Sequence, residues 1–134
     1  MSENVDLVRS IFAAWERGDI FTSAEWAHPE IECVMVDGPV PSRRTGLAGA
    51  TQITREVLSA YDDFSVTAQE YREIDQQRVL VLFQFLGRTK AGGLELGQIT
   101  GRNATVLVIE HGAVRRLAVY WDRARALADL GLEG

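Results

Sequence analysis

Val79-Leu-Val-Leu-Phe-Gln-Phe-Leu-Gly-Arg88 is the stretch on which the fold turns. Branched and aromatic residues over this length, bounded by Asp75-Gln76-Gln77 and by Lys90-Ala91-Gly92-Gly93, read as a long strand with a hairpin at each end. Upstream, Phe64 to Ile74 alternates loosely and forms a second strand. Downstream, Leu94 to Ile109 is a third, and Val114 to Trp121 a fourth, reached through a turn at Glu110-His111-Gly112. These four make a β meander. Outside it, Val5, Val8, Ile11, Phe12 and Trp15 share one helical face that starts at a Ser2 cap and stops at Gly18. A shorter apolar patch from Phe21 to Ala27 predicts a second helix, ended because Pro29 forces His28 out of helical geometry. Ile31 to Asp37 is a strand. The segment 38–46 holds two of the three prolines and reads as an irregular loop. Ala50, Ile53, Val57, Ala60 and Tyr61 mark a helix from about Leu47 to Tyr61, closed by Asp62-Asp63. A last helix, Asp122 to Leu132, opens on an aspartate cap and ends at Gly131. The predicted order is ααβαββββα, an α+β plan and not a βαβ alternation.

With 134 residues, the chain is expected to be one domain over 1–134. A chain of this length buries roughly 70% of its unfolded surface without help from metals or disulfides. Fourteen basic residues against nineteen acidic ones leave a net charge of −5, the wrong sign for tracking nucleic-acid phosphates. Val79 to Leu86 is the longest strongly apolar run, far short of the roughly 20 residues of a membrane-spanning helix. The start, Met1-Ser2-Glu3-Asn4, lacks the basic and apolar blocks of a secretion signal, and Cys33 is the only cysteine. A cytoplasmic protein is expected. Arginine supplies every basic residue except Lys90, a bias that fits a GC-rich bacterial genome.

A twisted antiparallel sheet curling over helices encloses a concave space suited to a small molecule. Three stretches, Phe12-Ala-Ala-Trp-Glu-Arg-Gly-Asp19, His28-Pro-Glu-Ile-Glu32 and Tyr120-Trp-Asp-Arg-Ala-Arg-Ala-Leu-Ala-Asp-Leu-Gly-Leu132, resemble the landmarks of the SnoaL-like branch of the nuclear transport factor 2-like superfamily. The resemblance implies a cone-shaped α+β barrel, its curved antiparallel sheet wrapped over the N-terminal helices, with one pocket and a homodimer made through the open sheet face. That superfamily includes ketosteroid isomerases, limonene epoxide hydrolases, polyketide cyclases, dehydratases and members that only bind, so the pocket residues must decide the function.

Val36-Asp37-Gly-Pro-Val-Pro-Ser-Arg-Arg-Thr-Gly46 resembles the ketosteroid isomerase segment whose aspartate shuttles a proton, which makes Asp37 the candidate general base. The competing reading is a turn aspartate accepting a backbone hydrogen bond. The isomerase pattern also needs two acidic donors to an enolate oxygen. Their positions match Ile11 and the neighbourhood of Asn103 or Thr105, none of which is acidic, while Tyr71, Tyr120 and Trp15 remain as other donors. The epoxide hydrolase relay, Asp-Arg-Asp, finds Arg78 but has Leu80 and Val119 where aspartates belong. Cyclase chemistry would need a pocket histidine, but His28 sits by Pro29 and His111 in a turn. Two histidines and one cysteine in separate elements carry no metal-ligand spacing. Gln84, Gln98 and Arg102 interrupt apolar strands and either orient a ligand or lie on a solvated sheet face. Trp15, Met35 and Tyr120 complete the candidate substrate-binding set. The expectation is a cofactor-free isomerase, cyclase or dehydratase acting on an apolar carbonyl compound. The alternatives are a non-catalytic binding or dimerisation module and an epoxide hydrolase. No cofactor, metal, nucleic acid or membrane is expected as a partner.

Overall fold

The computed structural model describes residues 3–17, 26–37, 42–89 and 98–132. They form α1 (Glu3–Glu16), β1 (Ala27–Met35), β2 (Ser42–Thr45), α2 (Gly46–Ala60), β3 (Tyr61–Glu73), β4 (Arg78–Thr89), β5 (Gln98–Glu110), β6 (Ala113–Tyr120) and α3 (Arg123–Asp129). The class is α+β, as predicted. One curved, unclosed sheet has the order β2-β1-β6-β5-β4-β3. Among the described residues no helix is long and apolar enough to cross a membrane.

The meander β3-β4-β5-β6 is antiparallel throughout. Its turns follow local chemistry. Asp75 Oδ1 accepts the Gln77 and Arg78 N–H groups at 2.9 Å each, closing the β3–β4 turn. His111 and Gly112 both take positive φ, 52° and 75°, which suits the tight β5–β6 hairpin. The hairpin predicted at Lys90 to Gly93 lies outside the described residues, as does most of the second predicted helix.

Three expectations are corrected. The segment before Gly46 is not all loop, because Ser42–Thr45, past the last proline, pairs antiparallel with β1. The helix ends at Ala60, within a residue of its predicted end, but Asp62-Asp63 is strand and not a break. β3 begins at Tyr61, ahead of its predicted start at Phe64, and Asp62 pairs with Arg88. The sheet is also not purely antiparallel. β1 runs parallel to β6, because α2 and the whole meander intervene before β6 returns beside it.

Strand alternation sorts the side chains onto two faces. Val79, Val81, Phe83 and Phe85 of β4 face α1 and α2, together with Leu107, Leu117, Ile31 and Cys33 from neighbouring strands and Val8, Ile11, Phe12, Ala50 and Ile53 from the helices. This is the inner face. Leu80, Leu82, Ala104, Val106, Ala118 and Tyr120 point the other way, under Ala126 and Leu127 of α3. β4 is thus covered on both sides, which is why it reads as an almost unbroken apolar run. Across the outer side of β2, β1 and β6, Glu32 accepts from Arg116 Nε at 2.8 Å and lies 3.7 Å from Arg43 Nε. The Arg116 guanidinium holds the Glu32 carboxyl below the ordinary carboxylate range.

α2 crosses β2 closely at Gly49, where an added Cβ would lie 2.9 Å from Arg44 Cβ and 3.3 Å from its carbonyl carbon. Alanine in a helix interior normally gains about 1 kcal/mol over glycine. Gly49→Ala is therefore expected to lower the thermal unfolding midpoint, the opposite of what helix propensity alone dictates, as differential scanning calorimetry would record.

Candidate functional site

Rows of residues across the inner face become progressively more open towards one end of the sheet. Val79, Leu107, Leu117 and Cys33 form a row in which every side chain is buried. In the next, Val81 and Thr105 are buried but Val119 and Met35 are half-buried. Beyond them Phe83 and Asn103 are buried, while Trp121 and Asp37, at the ends of β6 and β1, are half-buried. Trp15 of α1 stands 4.8 Å from Phe12 and 6.1 Å from Trp26, between ring centroids. Phe85 stands 4.8 Å from Trp121. Phe85 and Trp121 make the open end aromatic, whereas Trp26 precedes β1 at its other end, where its carbonyl accepts the Val114 N–H at 2.8 Å.

Two polar side chains occupy the point where β6 leaves the sheet. Val36 N–H donates to the Val119 carbonyl at 2.9 Å, a parallel-ladder bond, and beyond it the Asp37 carboxylate takes over as acceptor. Asp37 Oδ1 accepts the Trp121 N–H at 2.5 Å, and Oδ2 accepts the Asp122 N–H at 3.3 Å. Asn103, 1% exposed, works from the other side. Its Nδ2 donates to the Trp121 carbonyl and its Oδ1 accepts the Phe85 N–H, both at 3.3 Å. The Trp121 peptide groups are thus held on one side by Asp37 and on the other by Asn103. Asp122 then caps α3 by accepting the Ala124 N–H at 3.0 Å.

The candidate substrate residues divide between the faces. Asp37, Met35 and Trp15 lie on or beside the inner face. Gln84, Arg102 and Tyr120 do not line it. Gln84 pairs with Arg102 between residues whose neighbours point inward, so both project outward. The Tyr120 hydroxyl donates to Asp129 Oδ2 of α3 at 3.0 Å, and burial followed by that carboxylate pushes the phenol up. Gln98 pairs with Arg88 in the β4–β5 ladder, and its side chain lies outside the described residues. Arg78 is bound to Asp75, Nε to Oδ2 at 2.7 Å, away from any relay. The Thr105 hydroxyl donates to the Ala118 carbonyl at 2.9 Å. His28 Nδ1 accepts the Glu30 N–H at 3.0 Å, and His111 is exposed.

Sequence reasoning named Tyr71 only as an alternative donor and Asn103 only as a position where an acidic donor is missing, and it gave Trp26 no site role. Asn103 had a usable signal, since it shares strand parity with Thr105 and Leu107 in an apolar run. Tyr71 packs edge-on to Phe12 at 6.2 Å, with the Arg9 guanidinium 4.5 Å from its ring centroid. Burial, then the nearby Glu16 carboxylate, raises its phenol above the ordinary value. Glu16 also accepts the Ala68 N–H at 3.0 Å, pinning α1 to β3.

No protein-family model and no curated protein matches the chain. Solved structures do, over nearly its whole length. A nuclear transport factor 2-like protein of unknown function from Burkholderia pseudomallei is 20% identical, with a TM-score of 0.77 over 96% of this chain and 97% of that one. The chain has the nuclear transport factor 2-like fold. TerC, co-crystallised with polyporic acid, is 20% identical with a TM-score of 0.76 over 96% and 98% of the two chains. A SnoaL-like polyketide cyclase from Jannaschia is 14% identical, with a TM-score of 0.73 over 98% and 93%. In the nuclear transport factor 2-like fold of this chain, the half-buried aromatic end of the inner face is the candidate site.

Cys33 is no nucleophile for it. Burial, then the Glu32 charge, pushes the thiol up to about 11. A disulfide reagent at pH 8 is expected to leave Cys33 unlabelled in the folded protein and to label it fully in guanidinium chloride. Asp37→Ala strips the acceptor from two N–H groups and is expected to cost about 1–3 kcal/mol in denaturant unfolding. Asp37→Asn, which keeps one oxygen, is expected to cost less.

Proposed function

We propose that the chain binds a compact, largely apolar molecule carrying a carbonyl or hydroxyl oxygen against the aromatic end of its inner face. The observation that carries this reading is the change along that face from fully buried rows to half-buried Met35, Val119 and Trp121, with half-buried Trp15 of α1 packed on Phe12 beside Phe83. Half-covered aromatic surface beside a few fixed polar groups is the composition of a small-molecule site. Asn103 supplies a polar group there. It spends one amide N–H on the Trp121 carbonyl and keeps a second for which no described residue is the acceptor.

Proton transfer by Asp37 is the second reading, favoured by its half-buried place in line with Cys33 and Met35. A carboxylate has about four acceptor positions, and the two backbone N–H groups use two of them. Binding ranks first because those same bonds anchor the β6–α3 corner, so a proton moving onto Asp37 would compete with the fold. A catalyst of this kind would be a cofactor-free isomerase, cyclase or dehydratase.

One experiment separates the two. Tryptophan fluorescence is titrated with a panel of apolar cyclic ketones, quinones and phenols, and exchange of the ketones' α-protons is followed in D2O by NMR. Binding without turnover predicts saturable quenching by at least one compound, the same affinity within threefold in Asp37→Asn, and no enzyme-dependent exchange. Exchange that falls at least 100-fold in Asp37→Asn makes Asp37 the base. A panel that leaves the fluorescence unchanged overturns the binding reading.

A further inference from the structure

Gln84 and Arg102 acquire a different meaning on the outer face. Arg123, the first residue of α3, lies across β4 and β5: its Nε donates to the Asn103 carbonyl at 3.2 Å, and its Nη2 to the Phe83 carbonyl at 2.9 Å and to Gln69 Oε1 at 2.6 Å. Gln69 falls at the β3 bulge, between Ala68 and Glu70, and has no partner residue in the register with β4. A guanidinium only donates, so Gln69 must offer it the oxygen and turn its NH2 to the next group. That group is Gln84, whose Oε1 accepts from Gln69 Nε2 at 3.4 Å. With its oxygen taken, Gln84 has its own NH2 as the open end of the chain. The network thus runs out in donors, the Gln84 NH2 and Nη1 of Arg123, and the exposed Arg102 lies directly across the β4–β5 ladder from Gln84.

The charges agree with the donors. Arg43, Arg44, Arg72, Arg78, Arg115 and Arg116 each lie within 4.0 Å of a carboxylate. Arg102 and Arg123 have no such ion pair among the described residues, and the acceptors of Arg123 are all neutral. Burial, and then the like charge of Arg102, lowers the Arg123 pKa; Glu70 opposes this, but it is itself bound to Arg72. Arg9 and Arg125 also lack an ion pair among the described residues, but Arg9 lies over the Tyr71 ring, whereas Arg102 and Arg123 are close enough for the charge of one to act on the other.

We propose that Gln84, Arg102 and Arg123 form an outer-face binding site for a small oxyanion, a carboxylate or a phosphate group, distinct from the inner-face site. Arg123 is held by main-chain carbonyls and so is positioned before the ligand arrives, while exposed Arg102 closes on it.

The test uses the full 15N-labelled chain, titrated by NMR with sodium phosphate in one arm and sodium acetate in another, against sodium chloride at matched ionic strength. The Gln69 and Gln84 side-chain NH2 signals and the Arg123 Nε–H signal are expected to shift saturably in the arm whose anion fits, and chloride to leave them in place. Arg102→Gln is expected to weaken that binding about tenfold while leaving the unfolding midpoint unchanged. Arg123→Gln also removes three bonds that hold α3, so the Arg102 variant carries the decision. Shifts that follow ionic strength equally in chloride, saturation in neither arm, or an affinity unaltered by Arg102→Gln would each overturn the proposal.

Discussion

The Asp37 carboxylate holds the N–H groups of Trp121 and Asp122 where β6 gives way to α3, and much of the molecule is arranged around that corner. β1 runs parallel to β6, so its end arrives beside the end of β6 instead of beside its start. Both strands therefore stop together, and their last N–H groups would be left without a ladder. A carboxylate two residues past the end of β1 supplies the missing acceptors, and the Asn103 amide supplies a donor to the Trp121 carbonyl. The corner fixes the Trp121 ring against Phe85 on the inner face and launches α3 over the outer one.

From this corner the two faces take on different jobs. The inner face is sealed at the Val79–Leu107–Leu117–Cys33 row and opens through residues that are aromatic or flexible. The outer face is sealed by a single short helix, with Leu80, Ala104, Val106 and Ala118 beneath Ala126 and Leu127. Where that roof ends, the polar chain from Arg123 through Gln69 to Gln84 begins. Phe83 and Asn103 serve both sides at once, since their side chains face inward while their carbonyls accept from Arg123.

Asp37 illustrates how one residue supports two readings until its surroundings are known. Its place before Gly38 and its spacing to Gly46 resemble a proton-shuttling segment, and its type is right for a base. Its hydrogen bonds are those of a strand-end cap. The same carboxylate both terminates a strand and borders an apolar face, and the first of these roles is fixed by the fold.

Much of the architecture was legible in the order of residues. Hydrophobic runs bounded by Asp75 and by His111-Gly112 located β4, β5 and β6, and the Asp122 cap and Gly131 bracketed α3, because these signals act over a few residues and need no distant partner. Strand parity was also present in the chain, but which parity faced the helices was not. Gln84, Arg102 and Tyr120 alternate correctly with Phe83, Asn103 and Val119, yet only the packing of α1 and α2 on one side and α3 on the other decided that the first three point outward. The same holds for the β1–β6 pairing and for the Asp37 and Asn103 bonds to Trp121, which join residues 84 and 18 positions apart. Local propensity carries no information across such separations. Contacts of that length exist only once the sheet has formed, and there the tertiary structure assigned each side chain its role.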